Sequence, residues 1–250
     1  MSEQIPFKKE MRFEYGVARE IAPGVRRLVA PNPGAMTHHG TNTYIVGRGE
    51  VAVIDPGPDS EDHRNALLET LAATGERVTH FLLTHTHLDH CAGLAALQAA
   101  TGAQTAGFGS VGLRQTDRLG PGGRSFADGA FAPDIPLGDR DTLAGKDWTL
   151  TALHTPGHAP DHLCYEFAAS GVLFSGDHVM GWNTSVIAPP EGHMGDYLAS
   201  LHRLLDYGHE VYVPGHGGRV EQPQRLVKAF IMHRRWRESE VVESMTAGAR

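Results

Sequence analysis

The segment His85-x-His87-x-Asp89-His90 packs three imidazoles and one carboxylate into six residues of a 250-residue chain. The apolar run Val78–Leu83 precedes it and reads as a buried strand, and a small-residue-rich helix is expected from Leu88 to Ala100, stopping at Gly102. The histidines therefore occupy a turn from strand into helix. In such a turn His85 and His87 can converge on one cation, while Asp89 and His90, entering the helix, face a second position nearby. Imidazole nitrogen and carboxylate oxygen are donors for zinc and its first-row neighbours.

One hexapeptide cannot complete two coordination shells, because a tetrahedral zinc takes three or four protein ligands. Three further candidates stand beside glycine at the ends of expected strands: His158 in Thr155-Pro156-Gly157-His158, Asp177 in Ser175-Gly176-Asp177, and His216 in Pro214-Gly215-His216-Gly217. Glycine lets backbone and ligand approach an ion closely. Asp55 closes the strand Val51–Ile54 in the same way, ahead of Pro56-Gly57.

Taken in order, these residues resemble the metallo-β-lactamase superfamily, and the likeness runs from Asn42 to Gly217. The resemblance implies an α/β (α+β) fold, a four-layer αββα metallo-β-lactamase sandwich with the metals at one edge. It implies that His85, His87 and His158 bind one metal, that Asp89, His90 and His216 bind the other, and that Asp177 bridges them. Asp55 would support the metal loop from behind. The implied cofactor is two Zn2+ per chain, with Mn2+ or Fe2+ also compatible with these donors. The implied chemistry is hydrolysis by a hydroxide bridging the two ions, with Asp89 the catalytic residue that orients it as well as a ligand.

Asp177, rather than a cysteine, at the bridging place disfavours the β-lactamases that use a thiolate there. The run His178-Val179-Met180-Gly181-Trp182 after it differs from the pattern of glyoxalase II. Together with Asn42-Thr43-Tyr44-Ile45-Val46-Gly47, it looks like the branch named for β-lactamase-like protein 2, whose animal member is associated with cleavage of single-stranded RNA. The substrate classes left open are a phosphodiester of single-stranded RNA and a small-molecule ester, thioester or lactone. An iron-dependent persulfide dioxygenase-like oxidoreductase is the alternative of another class. His38, His39, Tyr44, His178 and His193 are the candidate substrate contacts, and His178 or His193 could supply a general acid.

The formal charge of −7 gives no global basic field for nucleic acid or anionic membrane. A basic run in the last helix, Arg225, Lys228, Arg234, Arg235 and Arg237, is the one local feature favouring RNA, and it reads more readily as a solvated face. Two cysteines, Cys91 and Cys164, exclude a disulfide scaffold or a four-thiolate site. No apolar run reaches a membrane span and the first residues do not read as a signal peptide, so a cytoplasmic protein with no membrane partner is expected. Residues 1–220 read as one catalytic domain and 221–250 as a C-terminal helix, the start of a shortened helical tail. The stretch 108–146, rich in Gly, Pro and Asp, reads as a long excursion outside the core. The oligomeric state has no signature here.

Overall fold

Several strands are buried at every position instead of at alternate ones, which is expected where both faces of a sheet are covered. The computed structural model, which describes residues 5–108 and 127–248, shows why. Arg19–Ala22 (β1), Val25–Val29 (β2), Asn42–Val46 (β3), Glu50–Ile54 (β4), Arg77–Leu82 (β5), Gln104–Gly107 (β6) and Ile135–Pro136 (β7) form one sheet in sequence order. Pairing is antiparallel from β1 to β4 and parallel from β4 to β7. Parallel neighbours need crossovers, supplied by Glu61–Thr74 (α1) between β4 and β5, and by Leu88–Cys91 (α2) with Leu94–Thr101 (α3) between β5 and β6.

The second sheet is ordered β12-β11-β10-β9-β8, from Thr142–Ala144 (β8), Thr149–His154 (β9), Leu163–Phe167 (β10), Val172–Gly176 (β11) and Val211–Pro214 (β12). Its one parallel pair, β11 with β12, is joined through Met194–Leu204 (α4), and Pro223–Gly248 (α5) follows. Three apolar layers result. Tyr44, Ile54, Tyr165 and Phe174 fill the space between the sheets. Leu67, Leu71, Leu94 and Leu97 of α1 and α3 pack on the first sheet. Tyr197, Leu201, Val227 and Phe230 of α4 and α5 pack on the second. The arrangement is the expected αββα sandwich. Among the described residues no helix is long and apolar enough to cross a membrane.

Two local expectations change. The single helix expected from Leu88 to Ala100 is two helices, because Gly93 donates its N–H to Gly57 O and a Cβ there would meet Pro58 O at 2.8 Å. The excursion contributes β7 and β8, too short to show a period, and buries Leu137; its residues 109–126 lie outside the described residues. The N-cap of α4 is His193, whose ring accepts from the Asp196 N–H. In α5 the stripe Leu226, Val227, Phe230, Ile231 covers the body, while Trp236, Val241 and Val242 remain exposed.

The sheets meet at the carboxyl ends of their strands. Asn42, opening β3, donates its side-chain amide to Pro214 O and Gly217 O, at 2.8 and 2.9 Å, and its own N–H to Gly215 O. Tyr165 of β10 donates its hydroxyl to Leu83 O at 2.7 Å. The loops after β4, β5, β9, β11 and β12 are thus fastened into one edge.

Candidate metal centre

Asp55 follows β4 in a left-handed conformation, φ 51°, and is fully buried. One carboxylate oxygen accepts the Thr84 N–H at 2.8 Å and the other accepts the Thr84 hydroxyl at 2.8 Å. With its proton spent on Asp55, Thr84 Oγ1 accepts from His85 Nδ1–H at 2.9 Å. The same Asp55 oxygen accepts from His90 Nδ1–H at 2.9 Å. A single acid behind the loop therefore sets the tautomer of two histidines, one directly and one through a threonine.

The other rings are held likewise. His158 Nδ1–H donates to Val186 O at 2.6 Å and His216 Nδ1–H faces Gly40 O at 3.3 Å. His87 is turned the other way, its Nε2–H donating to Glu191 Oε2 at 2.9 Å. Every ring thus spends one nitrogen on the protein and aims the other at a common region. His87 Nδ1 lies 3.0 Å from His158 Nε2, and His90 Nε2 lies 3.3 Å from His216 Nε2. In neutral imidazoles these are lone pairs facing one another, an arrangement that only a cation between them makes favourable.

His85, His87 and His158 form one group, Asp89, His90 and His216 another, and His85, His90 and Asp177 a third that connects them, with ligand atoms within 4.8 Å of one another in each. His216 Nε2 is 3.2 Å from Asp89 Oδ2, and His90 Nε2 is 3.4 Å from the same oxygen. Asp177 reaches both sides: Oδ2 is 3.7 Å from His158 and 3.4 Å from His216, and Oδ1 is 3.6 Å from His90. A tetrahedron with metal–nitrogen bonds near 2.05 Å has edges of about 3.3 Å, so these separations are those of ligands around two ions. His85 Nε2 and Asp177 Oδ1 are buried without a hydrogen-bond partner, which is costly unless something else satisfies them. Gly215 leaves the room: a Cβ there would land on Asp177 Oδ1 and lie 2.6 Å from His90 Cε1. The residues present fit a pair of metal ions.

Electrostatics divide the set. Burial, reinforced by the neighbouring histidines, holds His85 well below the usual histidine value and His158 down at about 4. Burial acts the same way on His90 and His216, but the surrounding carboxylates outweigh it: Asp89, Asp177 and Asp55 hold His90 well above its usual value, and Asp177 with Asp89 raises His216 to about 9. Burial would raise Asp89 and Asp177, yet His90 and His216 pull both below the ordinary carboxylate range. Without metal, protons on His90 and His216 carry the positive charge that the acids require.

Thr41 donates its hydroxyl to Asp89 Oδ2 at 3.2 Å, fixing the one ligand whose side chain is 31% exposed. Among the proposed substrate contacts, His38 and His39 lie in the loop that leads to Gly40. Their rings stack 3.9 Å apart, and His38 stacks on Trp182 at 4.8 Å. Tyr44 is a correction: it is buried between the sheets with its hydroxyl on Pro214 O, because β3 is covered on both faces. His178 is fully buried and packs edge-on against Tyr197. Burial lowers it to about 3, so at neutral pH it lacks the imidazolium proton that a general acid gives up. His193 caps α4 with its side chain 70% exposed and paired with Asp196. Sequence reasoning missed two residues. Glu191 comes from a loop 104 positions beyond His87. His162 is fully buried and accepts the Asp177 N–H at 3.2 Å; its nearness in sequence to His158 is the only signal.

The sequence profile of the Metallo-beta-lactamase superfamily matches residues 36–216. Lactamase-like protein adaB of Aspergillus niger is 31% identical over 98% of this chain and 74% of its own length. Atrochrysone carboxyl ACP thioesterase nsrC of Aspergillus novofumigatus is 28% identical over 92% of this chain, which spans 66% of that protein. The crystal structure of a metallo-beta-lactamase family protein from Thermus thermophilus superposes with a TM-score of 0.68 at 26% identity, covering 87% of this chain and 81% of that one. With the site geometry and these likenesses together, the chain belongs to the metallo-beta-lactamase superfamily.

Proposed function

We propose that this protein is a metal-dependent hydrolase of acyl thioesters. The observation that carries the reading is the convergence of His85, His87, His158, Asp177, Asp89, His90 and His216 on two adjacent positions, with facing ring nitrogens 3.0 and 3.3 Å apart. Two zinc ions held there would supply an ionised water near neutral pH and polarise the scissile carbonyl; manganese and iron accept the same donors. The protein's own part is orientation. Asp55, Glu191 and the Val186 and Gly40 carbonyls fix the ring tautomers, Asp177 spans the two groups, and Thr41 holds Asp89 with its oxygen toward His90 and His216.

The leaving group distinguishes the substrate classes. Neither histidine expected as a general acid is in position, since His178 is buried and His193 is engaged as a cap. A thiol with a pKa near 8.5 departs as thiolate without a proton, whereas an alkoxide does not. The thioesterase among the relatives supports the same choice. The basic run on α5 lends RNA little support: Arg234 donates to Ser185 O and lies over Tyr197, Arg235 bonds His202, and Arg237 bonds Glu240. A one-metal oxidation of persulfides would leave the Asp89–His90–His216 group without a role.

The test is a substrate panel on purified protein: acyl thioesters, a lactone, single-stranded RNA and a chromogenic cephalosporin. Thioester turnover that chelation abolishes and zinc restores is expected. RNA cleavage with the thioesters untouched would overturn the substrate assignment.

A further inference from the structure

Apart from the metal centre, a cavity of about 410 Å³ lies between the N-terminal segment, β1, β2 and the loop after β12, lined by Lys8, Glu10, Arg12, Arg27 and Arg219 together with Met11, Ile21 and Gly218. None of these is a candidate metal ligand, although Gly218 stands two residues after His216. Arg27 is the telling member. It is only 6% exposed, yet no carboxylate lies within ion-pair distance of it among the described residues. Its fellow buried arginine on β2, Arg26, is paired with Glu76 at 2.6 Å. The Arg27 guanidinium donates to Arg12 O at 2.9 Å and toward Gly217 O at 3.4 Å, which engages two of its five donors.

Burying an unpaired charge is costly, and desolvation accordingly pulls Arg27 below the ordinary arginine value. The neighbours add to the imbalance. Among the described residues Arg12 makes no ion pair, and Lys8 and Arg219 share a single acid, Glu221, at 3.8 and 3.0 Å. Counting Glu10 and Glu221 against the four cations leaves an excess of two positive charges around one cavity. Guanidinium forks match tetrahedral oxyanions in bidentate fashion, and Met11 and Ile21 give the same cavity an apolar wall.

From the carboxylate-free buried Arg27 and the cationic cavity around it, we propose that this chain has an anion-binding site for a phosphoryl group, separate from the metal centre. The chemistry recognised is a dianionic phosphate, either free or as a monoester with an apolar stem that Met11 and Ile21 cover. The site does not depend on which bond the metal centre cleaves.

The experiment is calorimetric titration of the zinc-loaded protein with inorganic phosphate, comparing the natural chain with R27Q, with the exposed-residue double variant R12Q/R219Q, and with E10Q. Metal content serves as the check on folding. Both arginine variants are expected to bind phosphate at least about tenfold more weakly, while E10Q, which removes an opposing charge, binds it more tightly. A second arm compares phosphopantetheine with inorganic phosphate, with pantetheine as the control that lacks the phosphoryl group. Preference for phosphopantetheine over inorganic phosphate assigns the site to an organic monoester, and equal binding assigns it to free phosphate; either outcome upholds it. Phosphate affinity unchanged in R12Q/R219Q and in E10Q, with metal content intact, would overturn it.

Discussion

The 2.9 Å contact between His87 Nε2 and Glu191 Oε2 decides which nitrogen of His87 faces the metal positions. With Nε2–H committed to the carboxylate, Nδ1 is presented 3.0 Å from His158 Nε2. Replacing Glu191 by alanine frees the ring to rotate and to change tautomer. Loss of such an outer partner typically costs about 10–100-fold in metal affinity. Competition with a chelating dye should show that loss in E191A and a smaller one in E191Q. Unchanged affinity in E191A would remove Glu191 from the site.

Gly215 tests the spacing of the ligands without altering one. A methyl group at this position collides with Asp177 and with His90, two ligands of the connecting group. G215A should retain its far-ultraviolet circular dichroism and lose bound metal, read by elemental analysis. Full metal content in G215A would mean that the ligands can move apart freely.

The protonation pattern predicts how metal binding responds to pH. His90 is held well above its usual value and His216 at about 9, so both carry protons at pH 7 that a metal must displace. His85 and His158 are held low and give none up. Filling the Asp89–His90–His216 position should therefore release about two protons at pH 7, and its affinity should rise with pH through about 9, where His216 loses its proton. Calorimetry in two buffers of different ionisation enthalpy measures this release. Binding without proton release would contradict the pattern.

Acid stability has a separate contributor. His63 is buried against Thr43, whose hydroxyl donates to Asp55 O and so accepts from His63 Nε2–H at 2.8 Å. Burial lowers His63 to about 4, below the value of about 6.5 expected when unfolded. The unfolded chain then takes up this proton first, so the contribution is intact above pH 6.5 and shrinks as pH falls through 4. The loss is roughly 3 kcal/mol at most, at about 1.4 kcal/mol per pH unit. Urea midpoints measured from pH 7 to 4 should fall, and the fall should be shallower in H63Q.

Much of the centre was legible in the sequence because its ligands sit where a chain changes from strand to turn. His85 to His90, His158, Asp177 and His216 each follow an apolar run, and strand ends share one edge of such a sandwich. Asp55 was visible for the same reason. Glu191 was not, since nothing local distinguishes an acid after Pro189-Pro190 from any loop acid, and its partner lies 104 positions away. Tyr44 misled because β3 is buried on both faces, so its period gives no direction to a side chain. His178 misled by adjacency: it follows a ligand directly but is buried against Tyr197. Strands β7 and β8, of two and three residues, are shorter than any detectable alternation.

The most direct measurement is hydrolysis of an acyl thioester by metal-free protein titrated with zinc, beside D177A treated identically. Activity should climb with added zinc and level off at about two equivalents per chain, with D177A remaining near the uncatalysed rate. Thioester hydrolysis that proceeds equally well without metal, or that survives intact in D177A, would contradict a bridged pair of ions as the source of the reaction.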